Sequence, residues 1–347
     1  VEFVKDTLAM CNKHYEKYGP ISRLDMVKNQ RVLMCLGPEF NEAALFDPKG
    51  NFSVAGGYAS SLGGLYPDGM LTRDDAKHKR TRRASQPAFK NDALKTYVDM
   101  LIPIQERRIQ DLPINEEFIF YDNIQKTLMD VAARVFIGLD ELSPEAKKLG
   151  YLFSEINEGL ITPLPYDLPF LQFRKSLKAR EELRQFFIEN IPKRRGSNGL
   201  DMFTRYCNAK DEDGEYLDDI DIDGHIAFLL FAAFDTTTSA LTNILYYLGK
   251  NPEWQDKVRN EIFSVTNEMP TFEDLAEMNL TEYVFQETLR FYPSVMVLNR
   301  RTTRDVNVAG YDIPANTVVM ISPPFTHRME QWWDDPYTFD PMRFSPE

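Results

Sequence analysis

Apolar residues recur every three to four positions along most of this chain and every second position along a small part. The longest apolar pattern lies between Asp223 and Lys250 (DGHIAFLLFAAFDTTTSALTNILYYLGK), where every residue from Ile226 to Phe234 is apolar. It is interrupted by Asp235, Thr236, Thr237, Thr238 and Ser239, resumes at Ala240 and stops near Gly249, with Pro252 just beyond. Gly followed by Pro is a helix-stop signal. The pattern predicts one helix from about Asp223 to Leu248, longer than most and apolar enough in its first half to lie inside the protein. The same residues admit a second reading, a buried strand over Ala227–Phe234 followed by a helix capped by Asp235. The unbroken apolar run is far shorter than the ~20 residues of a membrane span. A carboxylate inside such a helix is costly to bury, and four consecutive Thr/Ser residues can bond back to carbonyls one turn earlier. Together they predict a bent or loosened turn that holds water and passes protons.

Elsewhere the helical period predicts helices over residues 1–18, Pro38–Phe46, 91–110, 121–138, 144–160, Arg174–Ile191, Pro252–Thr266, Phe272–Glu277 and Glu282–Phe291. Alternation predicts a hairpin over 21–36, turning at Lys28-Asn29-Gln30, and further strands over 294–321, turning at Ala309-Gly310. Gly50–Asp68 is expected as a long glycine-containing loop, with no phosphate-cradle spacing. Leu160–Phe173 (LITPLPYDLPFLQF) is broken by prolines and apolar, an exposed connector or ordinary core. Gly196–Asp223 is turn-rich, with DEDGEY as a small hairpin. The tail from Pro323 is expected to be irregular, and Pro341 to keep the segment around Arg343 out of helix. The fold class is mainly α with a small β region, and one domain over 1–347: β-rich parts near 21–36 and 294–321, a helical part near 70–293.

Composition narrows the classes. With 347 residues, 43% hydrophobic and 27% charged, the chain is expected to be globular. A net charge of −13 argues against nucleic acid as a partner. Cys11, Cys35 and Cys207 are spaced too widely for a metal motif or a disulfide framework, so a reducing compartment is the default. The ends read as cut, without an initiator Met or a signal peptide. Five of the seven residues from Lys77 to Arg83 are Lys or Arg, the only strongly basic segment. It reads as a solvated helix face, a docking patch for an acidic partner, or a site for an anionic cofactor.

FAAFDTTTS at 231–239, ETLR at 287–290, DPYTFDPMRF at 335–344 and His78-x-x-x-Arg82 far upstream occur in one order. In that order the chain resembles the cytochrome P450 superfamily of haem-thiolate monooxygenases over essentially its whole length. The prolyl stretch at 160–173 followed by Lys178-Ala179-Arg180 further resembles the branch acting on sterols, retinoids and other lipids. The resemblance implies a P450-like fold and haem b in the intact protein. It implies Asp235 and Thr236 as the acid–alcohol pair that relays protons during O–O cleavage. Ala232 and Ala233 match the small residues over the haem face, with Ala233 where Gly is usual. His78, standing where Trp is frequent, Arg82 and Arg300, or its neighbour Arg301, match the cations on the haem propionates. Glu287, Arg290 and Arg343 match a structural ion network.

The resemblance also implies that the axial Cys lies beyond Glu347, that none of the three cysteines here is the metal ligand, and that this stretch by itself is inactive. Substrate-facing segments are implied at Val54–Met70, Leu160–Phe173 and Val295–Leu298. The implied partners are a lipophilic small molecule and an NAD(P)H-fed ferredoxin, flavodoxin-like domain or reductase. The implied location is the cytoplasm or the cytoplasmic face of a membrane, with anchoring by a preceding segment left open. Two rivals are a peroxide-rearranging member of the family and a haem-free helical binding protein. The intact Asp235–Thr236 pair argues against the first.

Overall fold

The computed structural model describes residues 6–26, 30–74 and 76–346. In chain order the elements are α1 (Thr7–Tyr18), β1 (Ile21–Met26), β2 (Gln30–Cys35), α2 (Pro38–Phe46), β3 (Phe52–Ser53), α3 (Val54–Tyr58), α4 (Ala76–Ser85), α5 (Asn91–Gln110), α6 (Phe120–Val131), α7 (Pro144–Ile161), α8 (Gln172–Arg194), α9 (Met202–Cys207), α10 (Asp219–Lys250), α11 (Pro252–Val265), α12 (Asn279–Phe291), β4 (Leu298–Thr302), β5 (Val306–Val308), β6 (Tyr311–Ile313), β7 (Val318–Ile321) and α13 (Pro323–Thr326). The chain divides into two compact units. The first comprises Val1–Ser60, Asn243–Gln255 and Leu280–Glu347, and the second Ser61–Thr242 and Asp256–Asn279.

The first unit is built on a sheet of order β1-β2-β7-β4-β3, in which β2 and β7 are parallel and the other pairs antiparallel. Alternation along β2 sends Val32 and Met34 to one face and Cys35 to the other. Met10 and Cys11 of α1 and Phe325 of α13 cover the first face. Phe40 and Ala44 of α2, with Val306, Val308 and Ile313 of the β5–β6 hairpin, cover the second. That hairpin turns at Ala309 and Gly310, both with positive φ, the tight turn that its alternation predicts.

The second unit is helical, with α7 packed along α8. Its helices start where side chains can cap them: Ser143 accepts from Ala146 N before α7, and Asp201 from Thr204 N before α9. α6 runs directly into a π-helical turn, Ala132–Ile137.

Several expectations need correction. The loop from Gly50 to Asp68 contains β3 and α3, started by Ser53 Oγ, which accepts from Gly56 N at 2.7 Å. α9 falls inside the stretch read as turns, and α10 begins four residues before Asp223. Pro341 does not exclude helix: Pro341–Phe344 is a 3₁₀ turn with proline at its first position, where its missing N–H costs nothing. Lys28 and Asn29 of the expected hairpin turn lie outside the described residues, and Gln30 already belongs to β2. The prolyl connector is not core, since Ile161, Leu164, Tyr166, Leu168 and Phe170 are all exposed.

Candidate functional site

α10 is one unbroken helix of 32 residues, so the strand alternative is not realised. The hydroxyl run explains how it survives. Thr236 Oγ1 donates to Ala232 O at 2.6 Å, Thr238 Oγ1 to Phe234 O at 2.9 Å and Thr242 Oγ1 to Thr238 O at 2.8 Å. Each hydroxyl bonds one turn back without displacing the ladder. By length and composition the helix would suffice to cross a membrane, but residues 221–228 are buried inside the second unit. Between them and the buried Thr238 and Ala240, Phe231, Ala232, Ala233, Phe234 and Thr236 are half-buried.

Asp235 is not sealed inside the protein as expected. It is exposed along the wall of a cavity of about 550 Å³ that α6 and α7 share with α10. The wall includes Asp122 and Lys126 of α6 and Asn157 and Glu158 of α7. Phe153 and Phe234, with ring centroids 5.5 Å apart, also line it. Partial burial raises the Asp235 carboxyl above its ordinary range.

On the core side, Tyr66 is 1% exposed. Its ring stacks on Phe231 at 4.9 Å and meets Phe228 edge-on at 6.2 Å. Its hydroxyl donates to Asn157 Oδ1 at 3.1 Å. The loop carrying Tyr66 lies directly on α10, because Gly69 and Gly224 leave no room for a side chain: a Cβ at Gly69 would meet Phe228 at 2.6 Å, and one at Gly224 would meet Asp68 at 2.5 Å. Arg180 of α8 fixes the same loop. Its guanidinium donates to Asp223 Oδ1 and Oδ2 at 3.0 and 2.7 Å and to Leu65 O at 3.2 Å, all buried. His225, one turn from Asp221, is 3% exposed, and its Nε2 has no hydrogen-bond partner among the described residues. Burial, then the nearby Arg73, push it down to about 4.

The cations of α4 divide. His78 is half-buried and Arg82 exposed, and their four-residue spacing puts both on one face. Arg80 pairs with Asp211 and Arg83 with Glu212 of the DEDGEY turn, which takes up part of the basic charge read in this segment. In the first unit, Arg300 on β4 donates through Nε to Ala44 O at 3.1 Å and through Nη1 to Asn299 O at 2.8 Å. Arg301 turns elsewhere, donating to Gly56 O at 3.0 Å and Asn316 Oδ1 at 3.0 Å.

Glu287 and Arg290 of α12 are 0% and 2% exposed and form a bidentate pair at 2.6 and 2.9 Å. The bidentate partner is Arg290, not Arg343, whose Nε stands 3.5 Å from Glu287 Oε1. Arg290 also donates to His327 O and Pro336 O, and Glu287 accepts from Asp340 N. The pair thereby supplies hydrogen bonds to a tail with little ladder of its own.

The three thiols are all buried. Burial pushes Cys11 up to about 11 and Cys35 and Cys207 up to about 12.

A family model described as Cytochrome P450 matches residues 2–347. The chain is 31% identical to cytochrome P450 136 of Mycobacterium tuberculosis over 95% of its own length and 68% of that protein's. It is 27% identical to a taxoid 14-beta-hydroxylase of Taxus cuspidata over 97% and 68% of the two chains. Among solved structures it is similar to retinoic acid-bound cyanobacterial CYP120A1, with a TM-score of 0.90 and 27% identity over 100% of this chain and 79% of that one. The chain belongs to the cytochrome P450 family. Its intact form is a haem b monooxygenase that takes a lipophilic substrate and draws electrons from a redox partner.

Sequence reasoning passed over Asn157, Asp223 and His225. It met Arg180 only within a lipid-branch resemblance, and Tyr66 only inside a substrate-facing segment. The usable signal was an acid opening a long apolar helix, which demands a buried cation somewhere.

Proposed function

We propose that the protein inserts one oxygen atom from dioxygen into a lipophilic small molecule of the sterol, terpenoid, retinoid or fatty-acid kind, with electrons originating from NAD(P)H. The carrying observation is Asp235–Thr236 placed in the half-buried stretch of α10, next to the aromatic surface of Tyr66, Phe228 and Phe231. The residues present fit haem. Half-buried Ala232 and Ala233 offer a flat apolar strip on an otherwise core helix. In the second unit His78 and Arg82 are cations suited to its carboxylate arms.

Bound haem b supplies the iron chemistry that activates dioxygen. The chain's own residues supply protons and orientation. Asp235 accepts a proton at a carboxylate oxygen from the cavity, and partial burial raises its affinity for that proton. Thr236 Oγ1, oriented by its bond to Ala232 O, passes the proton on. Neighbouring helical side chains diverge by about 100°, so water carries the step between them. Half-buried Phe231, backed by the buried rings of Tyr66 and Phe228, offers the substrate apolar contact. Relatives whose names specify taxoid, sterol and beta-amyrin oxidation support this substrate class.

An electron donor with an acidic face, a ferredoxin or flavodoxin-like domain, suits the exposed Lys79 of α4. Three free buried cysteines suit a reducing compartment, the cytoplasm or the cytoplasmic face of a membrane. In the full-length protein, Thr236→Ala is expected to raise hydrogen peroxide release per NAD(P)H severalfold and lower product yield. Unchanged coupling of electron use to product would remove the relay.

A further inference from the structure

The acid's cavity and the aromatic surface share one residue, Asn157. It is half-buried on α7, lines the cavity with Asp235, and accepts the Tyr66 hydroxyl at 3.1 Å. An amide has one acceptor end and one donor end. With Oδ1 engaged by Tyr66, the NH₂ is the end left to bond water. Tyr66 cannot swing away freely, since its ring is clamped by Phe228 and Phe231 and its loop by Arg180. We propose that Asn157, aligned by the Tyr66 hydroxyl, is a positioning residue that orders the water feeding protons to Asp235.

This rests on the relay reading above and adds to it the inner end of the route. Protons enter from bulk at the mouth of the cavity, which is also lined by Asp122, Lys126 and Glu158. Each proton leaving Asp235 is replaced along the same water, so the acid returns to its starting state. Phe153 and Phe234 close the apolar side, leaving Asn157 as the amide nearest the aromatic surface. Burial pushes the Tyr66 phenol up, Arg180 opposes this, and the Asp235 carboxylate adds to the rise. Tyr66, Asn157 and Asp235 thus form one electrostatic neighbourhood, with Asp122, Lys126 and Glu158 as the other charges around it.

The test uses the full-length haem-loaded protein with carboxyl-labelled aspartate, its infrared titration read as the difference from Asp235→Asn. Asn157→Leu is expected to raise the Asp235 midpoint by about one pH unit and to increase peroxide release severalfold. Tyr66→Phe, which keeps the clamped ring, is expected to move both in the same direction by less, and Asn157→Gln to restore part of the loss. Midpoints and peroxide release equal to the parent in Asn157→Leu and Tyr66→Phe would overturn the proposal. If Asn157→Leu fails to fold, Tyr66→Phe alone decides. If Asp235→Asn leaves coupling intact while Asn157→Leu moves the titration, the relay reading fails and the positioning role stands. The converse pair of results removes the positioning role and leaves the relay.

Discussion

His225 and Asp235 stand on the same helix, and burial acts on both, disfavouring whichever form carries charge. For Asp235 that raises proton affinity, which is useful in a relay. For His225 it lowers it, to about 4 from an ordinary 6.5. The unfolded chain therefore binds a proton at this residue below about 6.5, which the folded chain refuses until about 4. The stability attached to a neutral His225 is complete above that window and is lost as pH falls through it, by roughly 3 kcal/mol at the acid end. His225→Phe keeps a ring against Tyr206 and removes the titration. Its melting temperature is expected to match the parent's at pH 7.5 and to exceed it at pH 4.5, measured by circular dichroism. Parallel curves for the two proteins across that range would contradict the assignment.

At the scale of elements, the bond between α8 and α10 is the one to break. Arg180 and Asp223 form a buried bidentate pair, and removing one partner of such a pair strands the other charge, at about 3–5 kcal/mol. Arg180→Met should lower the unfolding free energy from denaturant titration by that amount, whereas Arg180→Met with Asp223→Leu should recover most of it. Equal losses in the single and double variants would mean that the pair is not the origin. The elements themselves were largely legible. The apolar period gave α5, α7, α10 and α12, and alternation gave the strands around Ala309-Gly310, because each buries one regular face. The short α3 and α9 were not, since capping by Ser53 and Asp201 outweighs a glycine-rich or turn-rich composition. Of the proposed site, Asp235 and Thr236 are the residues that a motif singles out. Asn157 and Tyr66 carry no motif: their meaning arises from a contact across 91 residues that no local pattern announces. The back-bonding expected of the hydroxyl run is present, with Thr236 and Thr238 donating to carbonyls one turn earlier.

For the whole molecule, the parallel pairing of β2 with β7 joins Val32 to Val318. The second unit, by contrast, takes nearly all its residues from the continuous run Ser61–Thr242. Non-local pairing is slow because loop-closure entropy must be overcome before contacts form. Pulse-labelled hydrogen exchange during refolding should therefore protect amides of residues 221–240 before those of 31–35, and the reverse order would contradict this. On the ribosome the consequence is sharper. At about 5–20 residues per second, β2 waits roughly 15–60 s for its neighbour to be synthesised. Through that interval a nascent strand with apolar side chains on both faces is open to chaperones and to other unfinished chains.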